Sequence, residues 1–175
     1  MTDVVHLSMA DLEAGLAQVR GSPRDRGVVE LVVRRPALDQ REILDEALLD
    51  AARGLVGDRW QPDRFDTQLT LMNARAASLV AVDPDRRALA GDQLYVDLDI
   101  SEANLPAGTR LAVGTAVVQI GDKPHTGCQK FAARFGRDAL RFVNSPMGRQ
   151  LRLRGVNTRI VADGVVRPGD VVRIL

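Results

Sequence analysis

The feature that most constrains the fold is a succession of short strand patterns in the second half of the chain. Residues 94–100 alternate apolar and polar side chains, as a half-buried strand does. A turn at residues 106–108 precedes a strand-like stretch at 110–113, and Gly114 leads into another at 115–120. Parallel strands need a crossover of a dozen or more residues, and these connections leave no room for crossover helices. The sequence therefore predicts an α+β, mainly β domain, closed or nearly closed into a barrel.

Two capping boxes predict helices in the N-terminal third of the chain. Ser8-x-x-Asp11 starts the first helix, which ends before Gly21. Asp39-x-x-Glu42 starts the second. The second helix is predicted to run to Gly54 with one apolar face, formed by Ile43, Leu44, Ala47, Leu48 and Ala51.

The other predicted elements follow from β-branched runs, helical spacing and turn residues. They are strands at 28–33 and 69–72, a helix at 74–82, one or two short helices within 131–142, and a C-terminal hairpin over 158–175 that turns at Asp163-Gly164.

Length and composition favour one globular domain and disfavour two classes of partner. The 175 residues are predicted to form an N-terminal helix and loop (1–27) and one domain (28–175). A net charge of +1 and 3% aromatic residues disfavour nucleic-acid binding. No run of about 18 apolar residues predicts a membrane span, and the N-terminus does not resemble a secretory signal. A single cysteine is typical of the reducing cytoplasm, which is the expected location.

The segment 121–130 carries the densest chemistry, with Cys128 near its end. Lys123, Lys130 and Arg134 are expected to lower the thiol pKa and favour the thiolate, the form that attacks and that binds soft metals. The alternative is that Cys128 is a small buried hydrophobe. The residues alone leave both interpretations open.

His125 lies three residues before Cys128 and is a candidate catalytic base for a cysteine nucleophile. The alternative is a loop histidine that forms hydrogen bonds or binds an anion. One cysteine and two histidines, His6 and His125, are too few for a structural zinc site, and no phosphate-binding glycine loop of the Walker type is present.

Two further segments are candidates for binding. Residues 149–157 concentrate arginine, whose guanidinium groups grip phosphate or carboxylate, although such a run is also typical of a solvated face. Residues 54–60 place Arg59 and the single tryptophan, Trp60, after a glycine-rich turn that either lines a pocket or is a packed loop.

Several of these segments together resemble the MOSC family (molybdenum cofactor sulfurase C-terminal domain). The resemblance rests on five stretches: GLVGD at 54–58, DLDISEANLPAGTRL at 97–111, PHTGCQKF at 124–131, RLRGVN at 152–157 and GVVRPGD at 164–170. It covers residues 28–175 and implies a MOSC-type β-barrel with peripheral helices, as a stand-alone single domain.

The resemblance also implies a function. MOSC proteins bind the molybdenum cofactor (molybdopterin) or carry sulfur for it, so Cys128 is expected to ligate the metal or to hold a persulfide. Reduction of small oxidised nitrogen compounds is the expected reaction of a reductase form. A non-catalytic carrier that delivers sulfur or cofactor to a larger enzyme is the alternative. Pyridoxal phosphate binding is a further property that the resemblance implies.

Other residues are expected to help to bind the cofactor, as judged by their charge and their position in the sequence. Lys130, Arg152 and Arg154 are expected to hold the pterin phosphate, Asn157 to bond the ring, and Arg59 to contribute from the opposite wall. Thr126 is expected near the metal. The expected partners are a small-molecule substrate and a cysteine desulfurase or a redox protein.

Overall fold

The computed structural model describes residues 3–175, so the first two residues of the predicted 1–27 segment lie outside the described part. The helices are α1 (Met9–Ala14), α2 (Leu16–Arg20), α3 (Ala74–Ala81), α4 (Gln129–Phe135), α5 (Arg137–Asn144) and α6 (Pro146–Gln150). The strands are β1 (Arg26–Arg34), β2 (Glu42–Ile43), β3 (Ala47–Asp50), β4 (Gly54–Leu55), β5 (Leu69–Asn73), β6 (Leu94–Asp97), β7 (Arg110–Val113), β8 (Ala116–Ile120), β9 (Val156–Ala162), β10 (Gly164–Val166) and β11 (Val171–Ile174).

Seven strands close into a barrel, which confirms the predicted fold class. The order around the barrel is β1, β11, β7, β8, β9, β5 and β6, and β6 pairs with β1 to complete the ring. All of these pairs are antiparallel except β5 with β6. The sequence did not predict this parallel pair. Helix α3 supplies its crossover, upstream of the short connections at 94–120.

The core has two layers because β1, β5 and β6 are covered on both faces. In β6, Leu94 and Val96 point into the barrel, whereas Tyr95 packs against the helices outside it. The prediction of a half-buried strand here was wrong, since Leu94, Tyr95 and Val96 are all fully buried. The helical layer explains why Phe131 and Phe135, on α4, are buried as well.

The predicted helix between Asp39 and Gly54 is not formed. Asp39 has a positive φ of 58°, which is incompatible with a helix start. The chain then forms β2 and β3, and in β3 Ala47 and Leu49 are buried while Leu48 is exposed. This alternation has the period of a strand, and the sequence prediction missed it because the same apolar residues also fit helical spacing.

The predicted C-terminal hairpin is wrong in its pairing. Only Asp163 separates β9 from β10, and the two strands do not pair with each other: β10 pairs with β3, and β9 pairs with β5 and β8. The small sheet of β10, β3 and β4 therefore sits beside the barrel. Gly164 is needed at this crossing, since a Cβ there would lie 2.3 Å from the backbone nitrogen of Ala116.

The other predicted elements are confirmed within a few residues. The Ser8–Asp11 capping box is present, and the first helix divides at Gly15 into α1 and α2. Residues 28–33 and 69–72 lie in β1 and β5. In the described part of the chain, no helix is both long enough and apolar enough to span a bilayer.

Candidate functional site

Cys128 lies at the N-terminal end of α4, where it lines a small pocket. Its side chain is exposed, so the alternative of a buried structural cysteine is wrong. The pocket has a volume of about 150 Å³. Its cationic side chains come from the segments after β1 and β4, from α4, and from the segment before β9: Arg35, Arg41, Arg59, Lys130, Arg134 and Arg154.

Positive charge exceeds negative charge in this pocket. Three carboxylates pair with four of the cations: Asp58 with Arg35, Asp92 with Arg154, and Asp39 with both Lys130 and Arg134. Among residues 3–175, no carboxylate lies within ion-pair distance of the other two cations, Arg41 and Arg59. The pocket therefore carries an excess of three positive charges, although the whole chain carries only +1.

The surroundings of Arg41 disfavour its positive charge and leave one of its donors without a partner. Burial, followed by the positive charge of Arg134, lowers the pKa of Arg41 below its ordinary value. Its Nε is buried and has no hydrogen-bond partner in the described chain. A buried donor without a partner costs about 1–3 kcal/mol, so an anion that accepts from Arg41 would be stabilised here.

The pocket favours the thiolate of Cys128. Partial burial raises the thiol pKa, but four groups together outweigh it and bring the pKa below its ordinary value. They are the backbone N–H groups of Phe131 and Lys130 and the charges of Arg154 and Arg134. The predicted effect of Arg134 is thus confirmed, whereas Lys130 acts through its backbone. Lys123 lines the neighbouring cavities instead.

A larger cavity of about 550 Å³ adjoins the cysteine pocket, and Arg35 and Arg59 line both. Its other lining residues include Trp60, Arg64, Thr70 and the loop 123–126. A third cavity of about 160 Å³ lies across the same loop and includes Arg149 and Arg152. The loop before Cys128 is therefore a partition between two cavities. A separate cavity of about 400 Å³ near Phe65 and β8 is lined by neither Cys128 nor His125.

A buried ion pair holds the wall shared by the cysteine pocket and the large cavity. The Asp58 carboxylate is fully buried and accepts from the backbone N, the Nε and the Nη2 of Arg35 at 2.7–3.0 Å. Arg35 also donates to the carbonyl of Gly91 at 3.0 Å. This network fixes the segment after β1 against the Gly-Asp turn after β4.

The predicted site residues fall into two groups. Arg59, Lys130 and Arg154 line the cysteine pocket, and Arg154 also donates to Asp92 at 2.6 Å and lies 5.2 Å from the Phe131 ring centroid. Thr126 and Asn157 line the large cavity.

Asn157 and Arg152 are engaged with the backbone. Asn157 donates to the carbonyls of Lys123 and Pro124 and so holds the partition loop. Arg152 donates to the carbonyls of Ile100 and Leu105, and it lines the third cavity rather than the cysteine pocket.

Sequence reasoning missed Arg35, Arg41 and Asp92 as site residues. They come from segments far from Cys128 in the chain, and none stands in a recognisable local motif. Asp58 was noticed only as part of the Gly-Asp turn. The available signal was that Arg35 lies two residues after the predicted strand 28–33 and Asp92 two residues before the predicted strand 94–100.

His125 is mostly buried, with 18% of its side chain exposed. Burial, followed by the charge of Arg154, lowers its pKa from 6.5 to about 4, against the opposing effect of Asp92. The ring is therefore neutral at pH 7. Among residues 3–175 no hydrogen bond joins it to Cys128, so the geometry does not support the predicted cysteine–histidine pair.

Acidification is expected to destabilise the fold through His125. Because its folded pKa lies below the ordinary value, the stabilisation is present above about pH 6.5 and is lost as the pH falls towards 4. The loss is at most about 3 kcal/mol. Urea unfolding at pH 7 and pH 4.5 measures it, with His125→Asn as the test and His6→Asn as the control. Equal losses in wild type and His125→Asn would contradict the assignment.

Comparison with known proteins identifies the family and the fold of this chain. A family model described as the MOSC domain matches residues 81–173, more than half of the chain. A search of the curated proteins finds no match.

Three solved structures share the fold at low sequence identity. A hypothetical protein superposes with a TM-score of 0.62 at 21% identity, over 90% of this chain and 70% of that one. YuaD from Bacillus subtilis gives 0.57 at 16%, over 85% and 95%. YiiM from Escherichia coli gives 0.57 at 18%, over 85% and 69%. MOSC domains are generally linked to molybdenum-cofactor binding and sulfur transfer. The resemblance is confirmed, and the chain belongs to the MOSC-domain family.

Proposed function

We propose that this protein binds the molybdenum cofactor, with the Cys128 thiolate as a sulfur ligand of the metal and the cationic pocket as the seat of the pterin phosphate. The observation that carries the proposal is the excess of three positive charges beside an exposed cysteine whose pKa is lowered. A thiolate is the protein ligand suited to a soft metal centre.

The residues present fit such a cofactor. Arg41 and Arg59 have no carboxylate partner in the described chain, and Arg41 Nε is a buried donor without an acceptor. Guanidinium groups bind phosphate through paired, charge-assisted hydrogen bonds. Arg152 and Arg154, which the sequence favoured for this role, donate to backbone carbonyls and to Asp92. Arg41 and Arg59, which have no carboxylate partner in the described chain, are therefore the better candidates.

The cavity sizes are consistent with a cofactor that occupies two adjoining spaces. The cysteine pocket, at about 150 Å³, has room for a small anionic group, whereas ligand sites usually occupy about 300–1,000 Å³. The adjoining cavity of about 550 Å³ is within that range and shares Arg35 and Arg59 with the pocket. Cys128 would hold the metal, the cations of the cysteine pocket would hold the phosphate, and the residues of the adjoining cavity would hold the ring system.

The chain's own residues would bind and orient the cofactor. The Asp58–Arg35 pair holds the shared wall, and Asn157 holds the partition loop. The backbone N–H groups at the start of α4, together with Arg154 and Arg134, lower the pKa of Cys128 and so favour its thiolate. When bound, the cofactor would supply the redox chemistry, as cofactors generally do. Reduction of small oxidised nitrogen compounds and pyridoxal phosphate binding stay predictions from the family resemblance.

Cofactor content tests the proposal directly. Wild type, Cys128→Ser, Arg41→Ala/Arg59→Ala and the control Arg141→Ala are expressed anaerobically with ample molybdate, then assayed for molybdenum and pterin fluorescence. Arg141 is an arginine of α5 whose side chain is 74% exposed. Wild type and the control are expected to bind about one molybdenum per chain. Cys128→Ser should lose the metal, and the double variant should lose both groups by at least about tenfold. Wild type without molybdenum or pterin would overturn the proposal.

A second candidate is a sulfur carrier, which the exposure of Cys128 favours. The thiolate would accept the outer sulfur of a cysteine desulfurase persulfide and release the donor as its thiol. Mass spectrometry after incubation with a desulfurase and cysteine tests this function. A gain of one sulfur on Cys128, absent in Cys128→Ser, is expected for a carrier. No gain under conditions where the desulfurase itself turns over would exclude it.

A further inference from the structure

Asp92 and His125 leave two buried polar atoms facing each other. Asp92 Oδ1 and His125 Nδ1 are 3.6 Å apart, and neither has a hydrogen-bond partner in the part of the chain that the structure describes. The Asp92 side chain is fully buried, and its other oxygen accepts from Arg154 at 2.6 Å. Gly155 leaves the space for this approach, since a Cβ there would lie 3.0 Å from Asp92 Oδ1. Unpartnered buried groups are rare in native proteins, so this pair needs an explanation.

The arrangement selects one tautomer of His125. As the ionised partner of Arg154, the Asp92 carboxylate has no hydrogen to donate. Its Oδ1 can therefore only accept a hydrogen bond. A lone pair on Nδ1 would face the lone pairs of Oδ1 in a buried, low-dielectric environment, which is repulsive. A hydrogen on Nδ1 makes the same approach attractive. The neutral ring therefore carries its hydrogen on Nδ1 and its lone pair on Nε2.

The lone pair on Nε2 is presented to the cavities. Nδ1 is buried towards Asp92, whereas Nε2 is neither hydrogen-bonded nor among the buried polar atoms without a partner. The exposed edge of the ring is thus the Nε2 edge. His125 lines both the large cavity and the third cavity. The side chains of Arg64 and Lys123 in the large cavity can only donate hydrogen bonds, whereas the third cavity already contains the carboxylate acceptors Glu102 and Asp122. It is therefore in the large cavity that Nε2 adds an acceptor beside donors.

We propose that His125 Nε2 is an acceptor site for an N–H or O–H group of the molecule bound in these cavities, and that Asp92 is the positioning residue that fixes its tautomer. A bound molecule would present an anionic group to the cations and a hydrogen-bond donor to the partition loop. This inference goes beyond metal binding by Cys128, because the tautomer of His125 and the exposure of Nε2 are properties of the protein without the metal.

Two-bond ¹⁵N–¹H spectra of the labelled apoprotein at pH 7 test the tautomer. The chain has two histidines, so His6→Gln leaves the signals of His125 alone. The Nδ1–H tautomer is expected to predominate. Asp92→Ala should shift the population towards Nε2–H, whereas Asp39→Ala, which removes a carboxylate of the cysteine pocket, should leave it unchanged. A predominant Nε2–H tautomer in the protein with Asp92 intact overturns the proposal even if Asp92→Ala fails to fold. So does an unchanged population in a folded Asp92→Ala.

Diethyl pyrocarbonate at pH 7 tests the accessibility of Nε2, with the exposed His6 as internal reference. Peptide mass spectrometry is expected to find both histidines carbethoxylated, His125 more slowly. Modification of His6 with none at His125 would show that Nε2 is closed to ligands and would overturn the acceptor site. Both experiments use protein without molybdenum, so they are independent of the cofactor analysis.

Discussion

Replacing Asp58 by alanine is expected to lower the free energy of unfolding by about 3–5 kcal/mol, because it leaves a mostly buried arginine without its partner. The Asp58 side chain is fully buried, and that of Arg35 is 18% exposed. The carboxylate also accepts from the backbone of Trp60 at 3.2 Å and from the amide of Gln93 at 3.4 Å. The substitution thus removes the acceptor of several buried donors at once. Urea unfolding at pH 7 measures the loss.

An exposed pair of the same kind provides the control. Arg167 and Glu46 are in contact, with 54% and 56% of their side chains exposed. Glu46→Ala is expected to cost less than about 1 kcal/mol, since water already solvates both charges. The double variant Arg35→Met/Asp58→Leu should recover much of the stability that Asp58→Ala loses, because it removes both charges. Similar losses in Asp58→Ala and Glu46→Ala would contradict the structural role of the buried pair.

Asp58→Ala is also expected to alter the candidate site. Arg35 lines both the cysteine pocket and the large cavity, and Asp58 holds it through three hydrogen bonds. A mobile Arg35 would leave the wall between the two spaces undefined. A folded Asp58→Ala is therefore expected to bind cofactor more weakly, although Asp58 itself lines neither the cysteine pocket nor the large cavity.

The barrel could be predicted from the sequence because its signals are local. The short turns between residues 106 and 116 impose antiparallel neighbours, and β7 and β8 pair as expected. The segment 39–54 was predicted wrongly because Ala47 and Leu49 are buried in β3 by pairing with β10, more than a hundred residues away. Long-range pairing of this kind overrides the local spacing of apolar residues, and no local pattern reports it.

The site was predictable only in part, for a similar reason. The Cys128 loop is a local sequence feature, and three of the four groups that lower the thiol pKa, those of Lys130, Phe131 and Arg134, follow it closely in the chain. Arg35 and Arg41 line the pocket, and Asp92 pairs with Arg154 of the pocket, only after the barrel closes and brings the end of β1 and the start of β6 beside α4. Conversely, Arg152 stood out as a phosphate ligand, but the fold turns it towards the carbonyls of Ile100 and Leu105.

Gly155→Ala is expected to lower the free energy of unfolding by about 3 kcal/mol, the largest loss after that of Asp58→Ala. Gly155 has a φ of +112°, a conformation that costs an L-residue about 1–2 kcal/mol. A Cβ there would also lie 2.7 Å from the backbone oxygen of Leu71, which cannot move without disturbing β5. Overpacking of this kind adds about 1–3 kcal/mol.

Gly108→Ala separates the two causes of this loss. Gly108 has a similar φ of +91°, but a Cβ there would meet nothing within 4 Å. Its substitution should therefore cost only the conformational strain, about 1–2 kcal/mol. The difference between the two variants in urea unfolding measures the clash, and equal losses would show that the space around Gly155 is not tight. Because the new Cβ would lie 3.0 Å from Asp92 Oδ1 and 3.3 Å from His125 Nδ1, Gly155→Ala should also push those atoms apart. The His125 tautomer is then expected to shift as in Asp92→Ala, with the carboxylate still present.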